Sequence, residues 1–346
     1  MSEVAASVSL LDVGIIVVTT GAIWIGSGWL ETTSERLAAI YGLPEVVQGA
    51  IIAAVGSSFP ELASVVFAAV LTQQIELGVG AIVGSAIFNI LVVPALSGIA
   101  AEDDIEANRT LVYKEAQFYM LAVSVLVITF ALAVIYYPDT SPGAADLAGF
   151  ITRPLAAIPL ALYGLYLFIQ VQDTGDYEAG DPPTDVDPRR QWGFLIAGLI
   201  VILVAVERLV HSVDLIGQAL GVPGFIMGVT IIAGATSLPD ALVSIRAARD
   251  ERGVASVANV LGSNTFDLLV AIPIGVLIVG RASIDFAMAV PMFASLTAAT
   301  ILLFTVLRTD LALTSLEAYV LLVAYVGFVA WVLLEASGVI VGILPA

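Results

Sequence analysis

The chain has 346 residues, 60% hydrophobic and 12% charged, with a mean hydropathy of +1.04. Polar surface on that scale cannot cover a soluble core, and the apolar runs are of bilayer length, which excludes a soluble globular protein. Twelve basic against thirty acidic residues give a net charge of −18, which argues against nucleic acid as a partner, and the absence of cysteine removes disulfide and thiol chemistry.

The first apolar run has no basic region ahead of it and is read as a retained span, not a cleaved signal peptide; no targeting tag is evident. Placing spans by length between charged and Pro/Gly-rich breaks predicts ten, at about 9–30, 43–71, 77–100, 116–137, 147–171, 192–213, 222–248, 254–280, 283–307 and 315–340. Crossing strands would be shorter and alternating, so the expected class is an all-α polytopic membrane protein. Acidic residues collect in loops such as Ala101 to Glu106 and Asp173 to Asp187, and Lys114 is the single lysine, a pattern suited to hydration in a high-salt cytoplasm.

The longest polar connection, 172–191, contains Pro182-Pro183 and divides the chain into halves at 1–171 and 192–346. Five spans per half is an odd number, so the second half enters the membrane with opposite orientation and the halves form inverted repeats. With the N-terminus outside, Arg36, Arg109, Lys114, Arg189, Arg190, Arg246, Arg249, Arg252 and Arg308 fall inside, against Arg153, Arg208 and Arg281 outside, so both termini are expected to face out.

The halves are related by sequence as well. GSSFPELAS, Gly56 to Ser64, has a near copy in GATSLPDALVS, Gly234 to Ser244; aligning Pro60 with Pro239 puts Glu61 on Asp240, Ser58 on Ser237 and Ala54 on Ala233. One residue further along, GSAIFNILV (Gly84 to Val92) falls on GSNTFDLLV (Gly262 to Val270), so the paired segments run over 54–92 and 233–270. Pro60 has no amide hydrogen for the carbonyl of Gly56, and Pro239 none for Ala235, so each helix is expected to kink or open there. A carbonyl freed at membrane depth must be satisfied by protein, water or an ion.

Ser57, Ser58 and Glu61 share one helical face, as do Thr236, Ser237 and Asp240, while Ser85 with Asn89 and Ser263 with Asp267 can line the same cavity from neighbouring helices. Oxygen-only ligands suit hard cations such as calcium or sodium. A kink alone is common in membrane helices, but a mid-span carboxylate is costly and functional by default, and here it occurs twice. Gly84 and Gly262 let the neighbouring helices approach closely. His211, beside Glu207, Arg208 and Asp214, reads as a solvated interfacial residue, with Glu207 a weak candidate for reaching a pore.

GSSFPE followed by GSAIFN, and ATSLPD followed by GSNTFD, resemble the two alpha-repeats of the sodium/calcium exchanger family within the cation/calcium antiporters. The resemblance implies calcium held between Glu61 and Asp240 with Ser57 and Thr236. It implies sodium or another monovalent cation at Ala54, Ser58, Ser85, Ala233, Ser237 and Ser263, with a middle position near Asn89 and Asp267. The implied activity is secondary antiport of calcium for sodium across the plasma membrane by alternating access, in the direction of calcium extrusion, with no resident cofactor and no enzymatic step. Aspartates at 240 and 267 are similar to the potassium-dependent branch, which makes potassium a further candidate ion. A calcium/proton antiporter is the nearest alternative; an intramembrane aspartyl protease would leave Glu61 and the duplication without a role, and a passive channel would give uncoupled flux. The short linker leaves no room for a calcium-sensing regulatory domain.

Overall fold

In hydrocarbon a backbone must satisfy its own polar groups, and apolar segments of this length do so as helices. The computed structural model describes residues 10–41, 54–101, 103–107, 114–141, 144–172, 186–309 and 311–339. The helices are α1 (Leu10–Ile40), α2 (Ala54–Ser57), α3 (Phe59–Thr72), α4 (Ile75–Ala100), α5 (Ala116–Tyr136), α6 (Arg153–Gln172), α7 (Pro188–Leu220), α8 (Gly224–Thr236), α9 (Leu238–Arg249), α10 (Gly253–Val279), α11 (Phe286–Arg308) and α12 (Ser315–Ala336). Each of the ten predicted spans contains helix. Among the described residues eight helices are each long and apolar enough to cross a membrane; α8 and α9 together make a further candidate, bent by 43°, and α3 is a shorter apolar helix. Residues 42–53, which include Pro44, and most of the 172–191 linker lie outside the described residues.

Several predicted boundaries move. The first span does not stop at 30 but continues as helix to Ile40. The sixth runs from Pro188, with the Asp187 carboxylate accepting from the Arg189 amide (3.0 Å), to Gly221, whose φ of +67° ends the helix. The fifth begins later than predicted, because Ala148–Thr152 form a strand, β2, instead of helix. Its partner is β3, Arg281–Asp285, antiparallel with Ala148 opposite Asp285 and Thr152 opposite Arg281, which likewise delays the ninth span to Phe286. The Arg281 guanidinium lies 4.4 Å from the centre of the Phe150 ring across this pair. A second pair joins β1, Ile105–Glu106, to β4, Ala312–Leu313.

The helices that carry the GS motifs are the central pillars. Burial reaches 89% of the apolar window in α4 and 78% in α10, against 17–39% in the other full-length helices, which face outward. α4 packs on α8 almost backbone to backbone: a Cβ on Gly84 would collide with the Val229 carbonyl, and one on Gly228 with the Leu77 carbonyl. Gly262 is buried within α10. α1 runs antiparallel to α7, with Trp29 edge-on to Phe194 (5.8 Å) and the Trp192 indole donating to the Tyr41 hydroxyl (3.2 Å).

The α4–α8 contact gives a stability test. Gly84→Ala should destabilise the protein by the ~1–3 kcal/mol typical of overpacking, read as a lower thermal midpoint in detergent. Gly21→Ala, at a position open to surrounding space, should not lower it.

Candidate functional site

Both prolines act as their sequence predicts. Pro60 and Pro239 each stand at the second position of a new helix, and the residue at the break has nearly the same conformation in both copies: Ser58 at φ −86°, ψ 6° and Ser237 at φ −82°, ψ −4°. The new helix then starts from the break residue's own carbonyl, Leu62 N to Ser58 O and Ala241 N to Ser237 O, both 3.1 Å. Glu61 and Asp240 therefore sit in the first turn of a helix, in the middle of the protein, and both are 0% exposed.

Around them the hydroxyls behave unusually for this chain. Elsewhere Thr19, Thr33, Thr129 and Thr300 fold back onto the carbonyl of the preceding turn, at 2.7–2.8 Å. Near the breaks the serines reach across instead. Ser237 donates to Ser85 (2.7 Å), which donates to Glu61 Oε1 (3.4 Å); Ser57 lies 3.0 Å from Ser263, which donates to Asp240 Oδ1 (3.2 Å). Ser58 donates to the Ser263 carbonyl (3.4 Å). Thr236 keeps its local bond to Ile232 O (3.1 Å) but stands beside Glu61, as Ser57 stands beside Asp240. Each carboxylate thus meets the serine of its own half's GS motif and a hydroxyl from the opposite half.

The eleven predicted site residues with described side chains gather at this centre: Ser57, Ser58, Glu61, Ser85, Asn89, Ala233, Thr236, Ser237, Asp240, Ser263 and Asp267 are all 0–1% exposed. Ala54 lies in α2, and the structure describes its backbone only. The Ala233 carbonyl already accepts from Ser237 N (3.0 Å). Glu61, Asp240 and Asp267 act on one another electrostatically, but among the described residues no three acidic, His or Cys side chains close into a chelating group. Outside the centre, His211 is exposed and Glu207 pairs with Arg208 (3.0 Å).

Sequence reasoning missed Asn264 and Tyr119. The Asn89 amide nitrogen donates to Asp240 Oδ2 (2.8 Å) and to Asn264 Oδ1 (3.1 Å), and Asn264 donates to the Ala86 carbonyl (3.1 Å) and the Tyr119 hydroxyl (3.3 Å). The signal for Asn264 was in the alignment: it stands where the first copy has Ala86, and that alanine's carbonyl is what it bonds. Tyr119, an aromatic residue in an apolar helix, carried no such signal.

The unpartnered atoms define the chemistry. Glu61 Oε2, Asn89 Oδ1 and both oxygens of Asp267 are buried and make no hydrogen bond among the described residues. All four are acceptors, and buried acceptors without donors are the complement of a hard cation.

The family comparison decides the class: the sodium/calcium exchanger protein family matches residues 11–172 and 190–334. The chain belongs to that family. Exchangers of this family are secondary transporters. Among relatives, an uncharacterized membrane protein of Methanocaldococcus jannaschii is 28% identical over 288 residues, covering 83% of this exchanger and 88% of the relative. The mouse sodium/potassium/calcium exchanger 4 is 46% identical over 66 residues, 19% of this chain and 11% of the mouse protein. The solved sodium-calcium exchanger NCX_Mj superposes with a TM-score of 0.63 at 24% identity, covering 93% of this chain and 98% of that one. Native YfkE gives 0.68 at 18% identity, covering 92% of each chain. These likenesses establish the fold.

Asn264 holds Asn89 against Asp240 and ties both to α5, so Asn264→Ala should cost the exchanger ~1–3 kcal/mol through the partners it strands. The measurement is thermal unfolding in detergent; Tyr119→Phe, which removes one weaker partner, should cost less.

Proposed function

We propose that this exchanger moves calcium out across the plasma membrane against sodium, by alternating access about a single central site. The observation that carries this reading is the pair of fully buried carboxylates, one on each broken helix, each met by a hydroxyl from the other half. Two anions match the charge of one divalent ion, and Glu61 and Asp240, with Ser57 and Thr236, offer the hard oxygen set that calcium takes. Ser58, Ser85, Ser237 and Ser263, with the backbone at Ala54 and Ala233, hold monovalent cations when calcium has left, and Asn89 and Asp267 form the middle position. Ser85 bonds Glu61 and Ser263 bonds Asp240, so the two sets of oxygens are in contact and occupation by one kind of ion disfavours the other, which is the coupling an antiporter needs.

The topology proposed is ten crossings in two inverted sets of five, with both termini outside. Pairing across the fold supports it by parity. β2 and β3 must lie at one membrane face, so the chain between them makes an even number of crossings; α6, α7 and α10 supply three, and the bent α8–α9 pair supplies the fourth. The Tyr41–Trp192 bond puts the end of α1 and the start of α7 at one face, and with α4, α5 and α6 between them, the segment containing α2 and α3 supplies the even count. A cysteine introduced near Ile75 should react with an impermeant reagent from outside, and one near Glu251 only from inside. Reaction of both from the same face would overturn the inverted topology.

A second reading, potassium as a co-transported ion, draws on Asp267. Once Glu61 and Asp240 neutralise calcium, a third buried carboxylate needs a proton or a monovalent cation, and a stretch of 66 residues of the chain is 46% identical to a sodium/potassium/calcium exchanger.

The test is calcium flux in proteoliposomes. Neutralising Glu61→Gln or Asp240→Asn should cut exchange by about 10²-fold or more, the ~3–5 kcal/mol expected when one partner of a buried charge set is removed. Asp267→Asn should retain far more activity, since an amide keeps the oxygen and matches Asn89. Near-normal exchange in Glu61→Gln would move the site elsewhere; a potassium requirement lost in Asp267→Asn would select the potassium reading.

A further inference from the structure

Because α1 continues to Ile40, it carries a carboxylate into the membrane region that the predicted boundary at 30 leaves in a loop. Glu31 is half-buried and packs at the first helix break: its Cα is 3.9 Å, and the Ser34 hydroxyl 4.0 Å, from where a Cβ on Gly56 would stand. Gly56 is the residue whose carbonyl Pro60 cannot bond. From Glu31 the helix runs on for nine residues to Ile40, so Glu31 stands between the Gly56 break and the face at which α1 ends, which in the proposed topology is the face of Arg246 and Arg252. Among the described residues it forms no hydrogen bond or ion pair.

One turn earlier, on the same face of α1, Ser27 is 1% exposed, and its hydroxyl has no hydrogen-bond partner among the described residues. Ser27, Glu31 and Ser34 are spaced four and three residues apart and form one stripe of oxygen-bearing side chains. The repeat makes the stripe informative. In the alignment that puts Pro60 on Pro239, these residues fall on Val206, Val210 and Val213 of α7, each 0% exposed. One half therefore has an oxygen stripe where the other has a sealed valine stripe, and shared ancestry or helix packing alone does not require the difference. An unpaired intramembrane carboxylate with a partnerless buried hydroxyl beside it calls for a cation.

We infer that Glu31, with the Ser27 hydroxyl one turn before it on α1, forms a second, weaker site for a hard divalent cation, placed between the central carboxylates and the arginine-bearing face, where the aligned positions of the other half carry valine. One carboxylate and one hydroxyl against a double charge hold the ion weakly, which gives a staging position that loads and unloads the centre. The inference rests on the calcium-exchange reading for its role, but its existence as a binding site can be measured independently.

Calcium binding to the purified full chain in detergent, with Glu61→Gln and Asp240→Asn together disabling the centre, should leave one weaker class of calcium site. Adding Glu31→Gln should abolish it, and Glu31→Asp should keep it. In oriented vesicles, Glu31→Gln in the otherwise native chain should raise the KM for calcium offered at the Arg252 face by roughly threefold to tenfold, the KM at the other face moving less than twofold. No residual binding in the double variant, residual binding indifferent to Glu31→Gln, or equal KM changes at both faces would each overturn the inference. A native chain that binds calcium at both sites yet carries no coupled flux would defeat the exchange reading and leave the second site standing.

Discussion

Carboxylates cut off from water must be balanced, and at the centre of this protein the balance has to come from something that can leave. Placing one ionised aspartate at mid-membrane costs about 3 kcal/mol on insertion scales, and Glu61, Asp240 and Asp267 share one small region in which, among the described residues, no basic side chain is bonded to them. A resident arginine would neutralise the site permanently and end transport. The donors provided instead are neutral: Ser85 to Glu61, Ser263 and Asn89 to Asp240, and none to Asp267. They orient the oxygens, and in the proposed exchange the charge is left to mobile cations.

Two broken helices are the means of putting those carboxylates there. A continuous helix spends its backbone on itself, whereas the proline two residues after each break removes one internal bond and starts a fresh first turn at mid-depth. The positive end of the new helix dipole then lies beside the acid. The near-identical conformation of Ser58 and Ser237 shows one device used twice. Where the halves differ, function can differ by face. Val65 packs tightly against Gly78 and Gly275, while the aligned positions in the other half form a polar seam of Ser244, Ser256 and Ser97.

Most of the site could be read from the chain because its parts lie in short motifs that occur twice: a proline and an acid one residue apart, and a serine four residues before an amide or acid. The boundaries were less legible. Helices apolar on all sides give no periodic signal, so the end of α1 was set by the charge at Glu31, although Glu31, Glu35 and Arg36 all continue the helix. The β2 strand was hidden for a related reason, since Ala148–Thr152 is as apolar as the helix it precedes and becomes a strand only because β3, far along the chain, pairs with it. Asn264 was visible as a mismatch between copies, but its value depended on knowing that Asn89, Ala86 and Tyr119 converge on it.

The central claim is that one divalent ion is shared by a carboxylate from each half. Anomalous diffraction from crystals soaked in strontium, a heavier mimic of calcium, tests it directly. The account predicts a single strong peak bridging Glu61 and Asp240, with oxygen distances near the ~2.3–2.6 Å of calcium sites. Two separate peaks, each on one carboxylate, or a peak touching neither, would contradict it.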